Sequence, residues 1–163
     1  MKRVNAILTH PLYRKYYRRL EVLERGRIFC RHQMTHLLDV ARIAYIRSLE
    51  ENLKLDKEII YAAALLHDIG KSLQYEDKIP HETAGEKMAS EILNSLPENC
   101  AFSESEKERI LTAIRGHRKL RDNPELLERL LYESDKASRT CFACPSRTEC
   151  NWSEDKKNKE IYL

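Results

Sequence analysis

His36, His67, Asp68, His81, His117 and Asp135 are scattered along the chain, yet they are residue types that hold a transition metal. Neutral imidazole and carboxylate together suit iron, manganese, zinc or nickel. Singly, each has an ordinary explanation. A lone inward histidine is a hydrogen-bonded core residue, and a lone inward aspartate caps or pairs, here with Arg42 or Arg139. The combination has no such explanation. Asp135 stands where an apolar stripe should continue, and an unpaired carboxylate there costs on the order of several kcal/mol. His117 follows Ile110 and Ile114 in the same way, His67 and Asp68 close the most apolar stretch of the chain, and His36 flanks another buried stripe. Groups drawn inward from separate elements share no structural need, and a common metal supplies one. The adjacent pair His67-Asp68 adds an option: at a helix end the imidazole can serve one ion while the carboxylate bridges to a second.

The elements that must position these groups read as helices joined by short breaks. Pro11 fits the first turn of the first helix, Leu12, Tyr16, Leu20 and Leu23 keep a helical spacing, and Gly26 is the expected stop. A second helix over about 33–52 has Met34, Leu37, Leu38, Ala41, Tyr45 and Leu49 as its buried stripe. Asp56 caps a third helix over about 57–67, apolar on nearly every side and therefore central, with Gly70 ending it. Residues 74–80 read as a loop, which leaves His81 just before a fourth helix over about 82–96. Ser103 and Glu106 form a capping-box pattern for a fifth helix, which carries His117, and Asn123-Pro124 opens a sixth, which carries Asp135. No alternating strand pattern is present, and only 4 Gly and 5 Pro interrupt the chain. The expected fold is all-α, an irregular helical bundle over residues 1–140 with a cysteine-bearing tail, 141–163, packed on it.

The 163 residues suit a single core, with 42% hydrophobic and 34% charged side chains. The net charge of +3, from 29 basic and 26 acidic residues, exerts no strong pull on nucleic acid or anionic lipid. The basic run at 13–19 reads as a solvated helix face. There is no apolar run of about 18 residues to span a bilayer, and the N-terminus lacks the apolar core of a secretory signal. A cytoplasmic, reducing compartment is expected, in which the five Cys are thiols or metal ligands rather than disulfides.

Three strings carry a family resemblance. His36-Leu37-Leu38-Asp39-Val40-Ala41-Arg42-Ile43-Ala44, Leu65-Leu66-His67-Asp68-Ile69-Gly70-Lys71 and Tyr132-Glu133-Ser134-Asp135-Lys136-Ala137 resemble, in this order, the metal-binding segments of the HD-domain superfamily of metal-dependent phosphohydrolases. The likeness covers roughly residues 30–140. The two further histidines, His81 and His117, are similar to those of its two-metal branch. The resemblance implies that His36, His67, Asp68 and Asp135 hold one ion, that Asp68 bridges, and that His81 and His117 hold the second. Within that branch, His-Asp-Ile-Gly-Lys, a following His, Ala113-Ile114-Arg115-Gly116-His117 and a late Asp-Lys look most like the bacterial enzymes that split diadenosine tetraphosphate symmetrically. The two-metal cyclic-dinucleotide phosphodiesterases share the first string, but this chain lacks their Gly-Tyr-Pro string. The implied activity is hydrolysis of a phosphoester or phosphoanhydride of a nucleotide, with two divalent ions, iron or manganese first and zinc or nickel as alternatives. Asp68 and Lys71 are then the expected catalytic residues, with Lys71 holding a phosphate as a point charge. Arg115, Arg118 and His32 are candidate substrate contacts whose bland alternatives are surface charges and a cap-region histidine. A homodimer stays open.

Cys141, Cys144 and Cys150 form a Cys-x2-Cys-x5-Cys string outside this resemblance. Such spacing is similar to that of structural zinc sites and iron–sulfur clusters. A fourth ligand is needed, with Cys30 the first candidate and Cys100 the alternative; free or redox-active thiols are the competing reading. Two other functions compete with hydrolysis: a metal-binding sensor or regulatory module, and a di-iron, oxygen-activating enzyme of the same architecture.

Overall fold

The computed structural model describes residues 1–161, and these form α1 (Lys2–Thr9), α2 (Pro11–Leu23), α3 (Met34–Glu50), α4 (Lys57–Leu66), α5 (Lys71–Asp77), α6 (His81–Asn94), α7 (Glu104–Gly116) and α8 (Leu126–Ala137). Short 3-10 turns occur at Glu98–Cys100, Cys141–Ala143 and Glu154–Lys156, and no strand is present among the described residues. Tyr162 and Leu163, the end of the expected tail, lie outside the described residues. No described helix is long and apolar enough to cross a membrane.

The apolar stretch after Asp56 becomes the axis of the bundle. Ile59, Ile60, Ala62, Ala63, Ala64, Leu65 and Leu66 of α4 are all buried, and α3, α7, α1 and α8 pack around them. The run of three alanines lets these helices approach closely, while the isoleucines and leucines fill the grooves. Asp56 caps α4 through the amides of Glu58 and Ile59, and it shares Arg3 with Glu58 and Glu106, which fastens α1 to the starts of α4 and α7. The Ser103–Glu106 capping box is present at the start of α7.

Several expected boundaries move. α1 precedes Pro11, and Val4 and Ile7 bury against the core. The segment expected as a loop, 74–80, is mostly α5; Gly70 stands at its N-terminus rather than ending α4, whose last residue is Leu66. α5 buries Ser72 alone, so it offers no apolar periodicity to read. His81 is the first residue of α6 rather than part of a loop. α8 is opened by Glu125, whose carboxylate accepts from the amide of Glu128 while Glu128 accepts from the amide of Glu125, and not by Asn123-Pro124. On α3 the buried face is turned: Leu37, Val40, Ala41, Ala44 and Ser48 are inside, and Leu49 is exposed. α2 stops at Leu23, ahead of Gly26.

Gly70 decides where the site forms. A Cβ built there would lie 2.2 Å from the backbone oxygen of His81 and 2.4 Å from the backbone nitrogen of Gly85. Only a residue without a side chain lets the turn after α4 lie directly on the first turn of α6, which is what brings His81 to Asp68.

Candidate metal centre

The six ligand candidates come from five places that converge at one end of α4. His36 sits in the first turn of α3, His67 and Asp68 in the turn beyond α4, His81 at the start of α6, His117 at the end of α7, and Asp135 in the last turn of α8. They fall into two groups whose ligating atoms all lie within 4.8 Å of one another: His36, His67, Asp68 and Asp135, and Asp68, His81 and His117.

Asp68 belongs to both, and its two oxygens divide between them. Oδ2 faces His36 Nε2 at 3.4 Å and His67 Nε2 at 3.0 Å. Oδ1 faces His81 Nε2 at 3.6 Å and His117 Nε2 at 3.7 Å. Asp135 Oδ1 completes the first group, 3.4 Å from His36 Nε2 and 3.8 Å from His67 Nε2. The Nε2 atoms of His81 and His117 stand 3.0 Å apart. Asp68 thus stands between two groups, each of which could hold an ion.

The rings are held from behind. His67 Nδ1 donates to the Ala64 carbonyl and His117 Nδ1 to the Ile114 carbonyl, each at 2.6 Å. Both bonds leave Nε2 as the free lone pair, the arrangement that metal-ligating histidines use. His36 Nδ1 lies 3.2 Å from Ser138 Oγ, whose hydroxyl donates to the Asp135 carbonyl at 2.8 Å, so the hydroxyl oxygen accepts from His36. Ser138 was not singled out in the sequence, and nothing in its spacing marks it.

The residues fit a metal. His36 Nε2, His67 Nε2 and Asp68 Oδ2 are buried without a hydrogen-bond partner in the protein. Orphans of that kind are rare and cost about 1–3 kcal/mol each, and three of them point into one space. The charge balance agrees. Burial opposes a charged His67, but Asp68 and Asp135 outweigh it and raise its pKa to about 10. Burial would raise Asp68 as well, yet His67 and the other imidazoles hold it well below the usual carboxylate range. The carboxylates therefore demand positive charge from the centre. At the other group, burial and then Lys71 lower His81 to about 2, which keeps its imidazole neutral and able to ligate.

A cavity of about 200 Å³ opens on these ligands, and Lys71, Arg118, Lys136 and Arg139 line it. Lys71 Nζ is 3.9 Å from Asp68 Oδ1. Lys136 Nζ binds Asp135 Oδ2 at 2.9 Å, while Arg139 Nη2 binds Oδ1, the oxygen that faces His36 and His67, at 3.0 Å. Of the two partners weighed for an inward aspartate, Arg139 is therefore the one used; Arg42 is exposed and pairs with Asp39. Arg118 is half exposed at the rim, 3.4 Å from Glu82. Arg115 lies on the outer face of α7, 69% exposed and paired with Glu86, and it is not among the residues that line this cavity.

His32 is buried and faces the centre. Its Nδ1 is 2.5 Å from Glu24 Oε1, its amide donates to Glu24 Oε2 at 2.7 Å, and its Nε2 reaches within 3.9 Å of Asp68 Oδ2. Tyr75 donates a third hydrogen bond to the fully buried Glu24 at 2.8 Å. Glu24 went unremarked in the sequence, although it follows Leu20 by four residues and so stands on the buried stripe of α2. Cys30, Cys141, Cys144 and Cys150 line a neighbouring cavity, whereas Cys100 is buried elsewhere in the turn Glu98–Cys100.

Comparison with known proteins extends this picture over the whole chain. A protein of Clostridium beijerinckii described as an uncharacterized protein is 47% identical over 162 residues, 99% of each chain. The crystal structure of a predicted HD superfamily hydrolase from an uncultured Thermotogales bacterium shares the fold, with a TM-score of 0.65 and 22% identity over 90% of this chain and 79% of that one. The HD domain model matches residues 34–140, the stretch that begins just before His36 and ends just after Asp135. The chain belongs to the HD domain family.

Proposed function

We propose that the protein is a metal-dependent phosphohydrolase that cleaves a phosphoester or phosphoanhydride of a nucleotide, with a dinucleoside polyphosphate as its leading substrate. The division of the Asp68 oxygens between two imidazole groups carries this reading, because it fits a pair of divalent ions, iron or manganese first, held by His36, His67, Asp68 and Asp135 and by Asp68, His81 and His117. Such ions, when bound, lower the pKa of water and neutralise phosphoryl charge.

The chain's own groups supply the remainder. Lys71 presents an ammonium beside Asp68, where a phosphoryl oxygen can approach the ligand pair. Arg118 and Lys136 extend the cationic lining outward, the direction in which a polyphosphate chain needs successive counter-charges. Lys136 on Oδ2 and Arg139 on Oδ1 also fix the Asp135 carboxylate, whose Oδ1 faces His36 and His67. The backbone bonds at His67 Nδ1 and His117 Nδ1 keep both rings from turning when substrate binds. The Thermotogales structure's description as a predicted HD superfamily hydrolase agrees with this chemistry.

The test is a panel of nucleotides, dinucleoside polyphosphates and cyclic dinucleotides, assayed with manganese and with ferrous iron, the latter without oxygen. Release of phosphate or mononucleotide by wild type, and its loss in His67→Ala, is expected. A blank panel with every metal, or turnover unchanged in His67→Ala, removes the reading; oxygen consumption in place of hydrolysis would assign the centre to oxygen activation.

A further inference from the structure

The cysteines take no part in that chemistry, yet the fold assembles them. The geometry points to a second cofactor site: Cys30, Cys141, Cys144 and Cys150 hold a [4Fe–4S] cluster, which clamps the C-terminal segment over the mouth of the metal centre. The site does not depend on the hydrolase reading.

The four thiols come from the segment before α3 and the segment after α8, and all four line a single cavity of about 170 Å³. One water needs only about 10–15 Å³ of such space, so the cavity suits a group of several atoms. Four thiolates on one zinc ion, with bonds of about 2.3 Å, need a setting only about 3.8 Å across, whereas a cubane spreads its thiolates over four irons and takes up a cavity of this kind.

The electrostatics match an anionic occupant. Arg27, Lys71, Arg139, Arg147 and Lys157 line this cavity, and no carboxylate does. On ligation each thiol gives its proton to solvent as its sulfur bonds iron, and the cubane with four thiolates is a net anion. Cations close by offset the charge of such an anion. One of them reaches Cys30 directly, as Arg27 Nε donates to its carbonyl at 2.8 Å. A pocket for a substrate phosphate would use the same cations but has no use for four thiols on its wall.

The tail also needs an anchor. Past residue 140 no described apolar side chain is buried; Ser146 and Asn158 are the buried residues there. Asn158 Nδ2 donates to the carbonyls of Lys136 and Arg139, both at 2.7 Å, and Ser146 donates to the Ile28 carbonyl at 2.8 Å. A segment without its own core is ordered by such bonds only when something larger holds it. Once held, it shapes the catalytic mouth. Lys71, Arg139 and Trp152 line both cavities, and the Arg139 guanidinium lies 4.6 Å from the centre of the Trp152 ring while it binds Asp135.

The experiment is a count of acid-labile sulfide, which the metal centre around Asp68 does not contain. The full chain, purified without oxygen or reconstituted with ferrous iron, sulfide and a thiol reductant, should carry about four sulfides per chain. It should also show a broad visible absorption that bleaches with dithionite. Cys144→Ser and Cys150→Ser should lose both signals and expose residues 141–161 to trypsin, while helical circular dichroism persists. Cys100→Ala and His81→Ala should keep the sulfide, which separates this site from the hydrolytic one. Wild-type chain that takes up no sulfide overturns the proposal without reference to any variant, as does one zinc per chain that is lost in the cysteine variants.

Discussion

Gly70→Ala is the sharpest probe of how the fold builds the second half of the metal centre. The added methyl would lie 2.2 Å from the His81 carbonyl oxygen and 2.4 Å from the Gly85 amide nitrogen, where real contacts stay above 3.0 Å. Both obstacles are backbone, so no side chain can swing aside, and the turn after α4 must part from α6 by about 1 Å. Overpacking of this order costs about 1–3 kcal/mol, which lowers the Tm of a chain this size by roughly 2–12 °C. The displacement falls on the 3.6 Å gap between His81 and Asp68, and a misplacement of about 1 Å reduces turnover about 10²-fold. His36, His67 and Asp135 are not carried by α6, so the first ion should still bind. The assay is thermal unfolding together with metal titration, with Gly26→Ala beside it. A Cβ at Gly26 has nothing within 4 Å, so that variant should stay within about 0.5 kcal/mol of wild type. Gly70→Ala with unchanged Tm and an unchanged second ion would refute the reasoning.

Three further outcomes follow from named contacts. Ser138→Ala removes the acceptor of His36 Nδ1 and should weaken metal binding about 10–100-fold, measured by competition with a chelator; unchanged affinity would mean the ring is held by packing alone. Tyr75→Phe takes a donor from the buried Glu24 carboxylate and should lower stability by about 1–3 kcal/mol in urea, with an unshifted midpoint as the contrary result. Burial opposes ionised Glu58 and Glu106, but the Arg3 hydrogen bonds and charge outweigh it and depress both carboxyls. Their contribution is therefore complete above the unfolded carboxyl pKa of about 4.3 and fades as pH falls through the lower folded values. Wild type should lose stability faster than Arg3→Ala between about pH 5 and pH 3, and parallel curves would count against the clasp.

The ligand candidates were legible because each breaks a pattern: Asp135 interrupts the stripe of α8, His117 that of α7, and His67-Asp68 the apolar run of α4. The same logic applied to α2 would have found Glu24, since Leu20 and Glu24 share its buried face. Ser138 and Gly70 were not legible as site builders, because their roles arise from how close two distant segments lie and leave no periodicity. α5 was hidden for a related reason: with one buried residue, it is held by its neighbours more than by its own sequence. Arg115 pairs with Glu86 at the surface because two positions along a helix, the distance from His117, turn side chains to opposite faces.

The number of divalent ions at the centre tests the central claim most directly. Manganese bound per chain, after chelation and reconstitution of Cys144→Ser so that the cysteine site does not contribute, should be two by elemental analysis. His81→Ala should keep one, and Asp68→Ala should lose the second and weaken the first. A wild-type centre that saturates at one ion, or an Asp68→Ala chain that still binds two, would contradict a carboxylate shared between two sites.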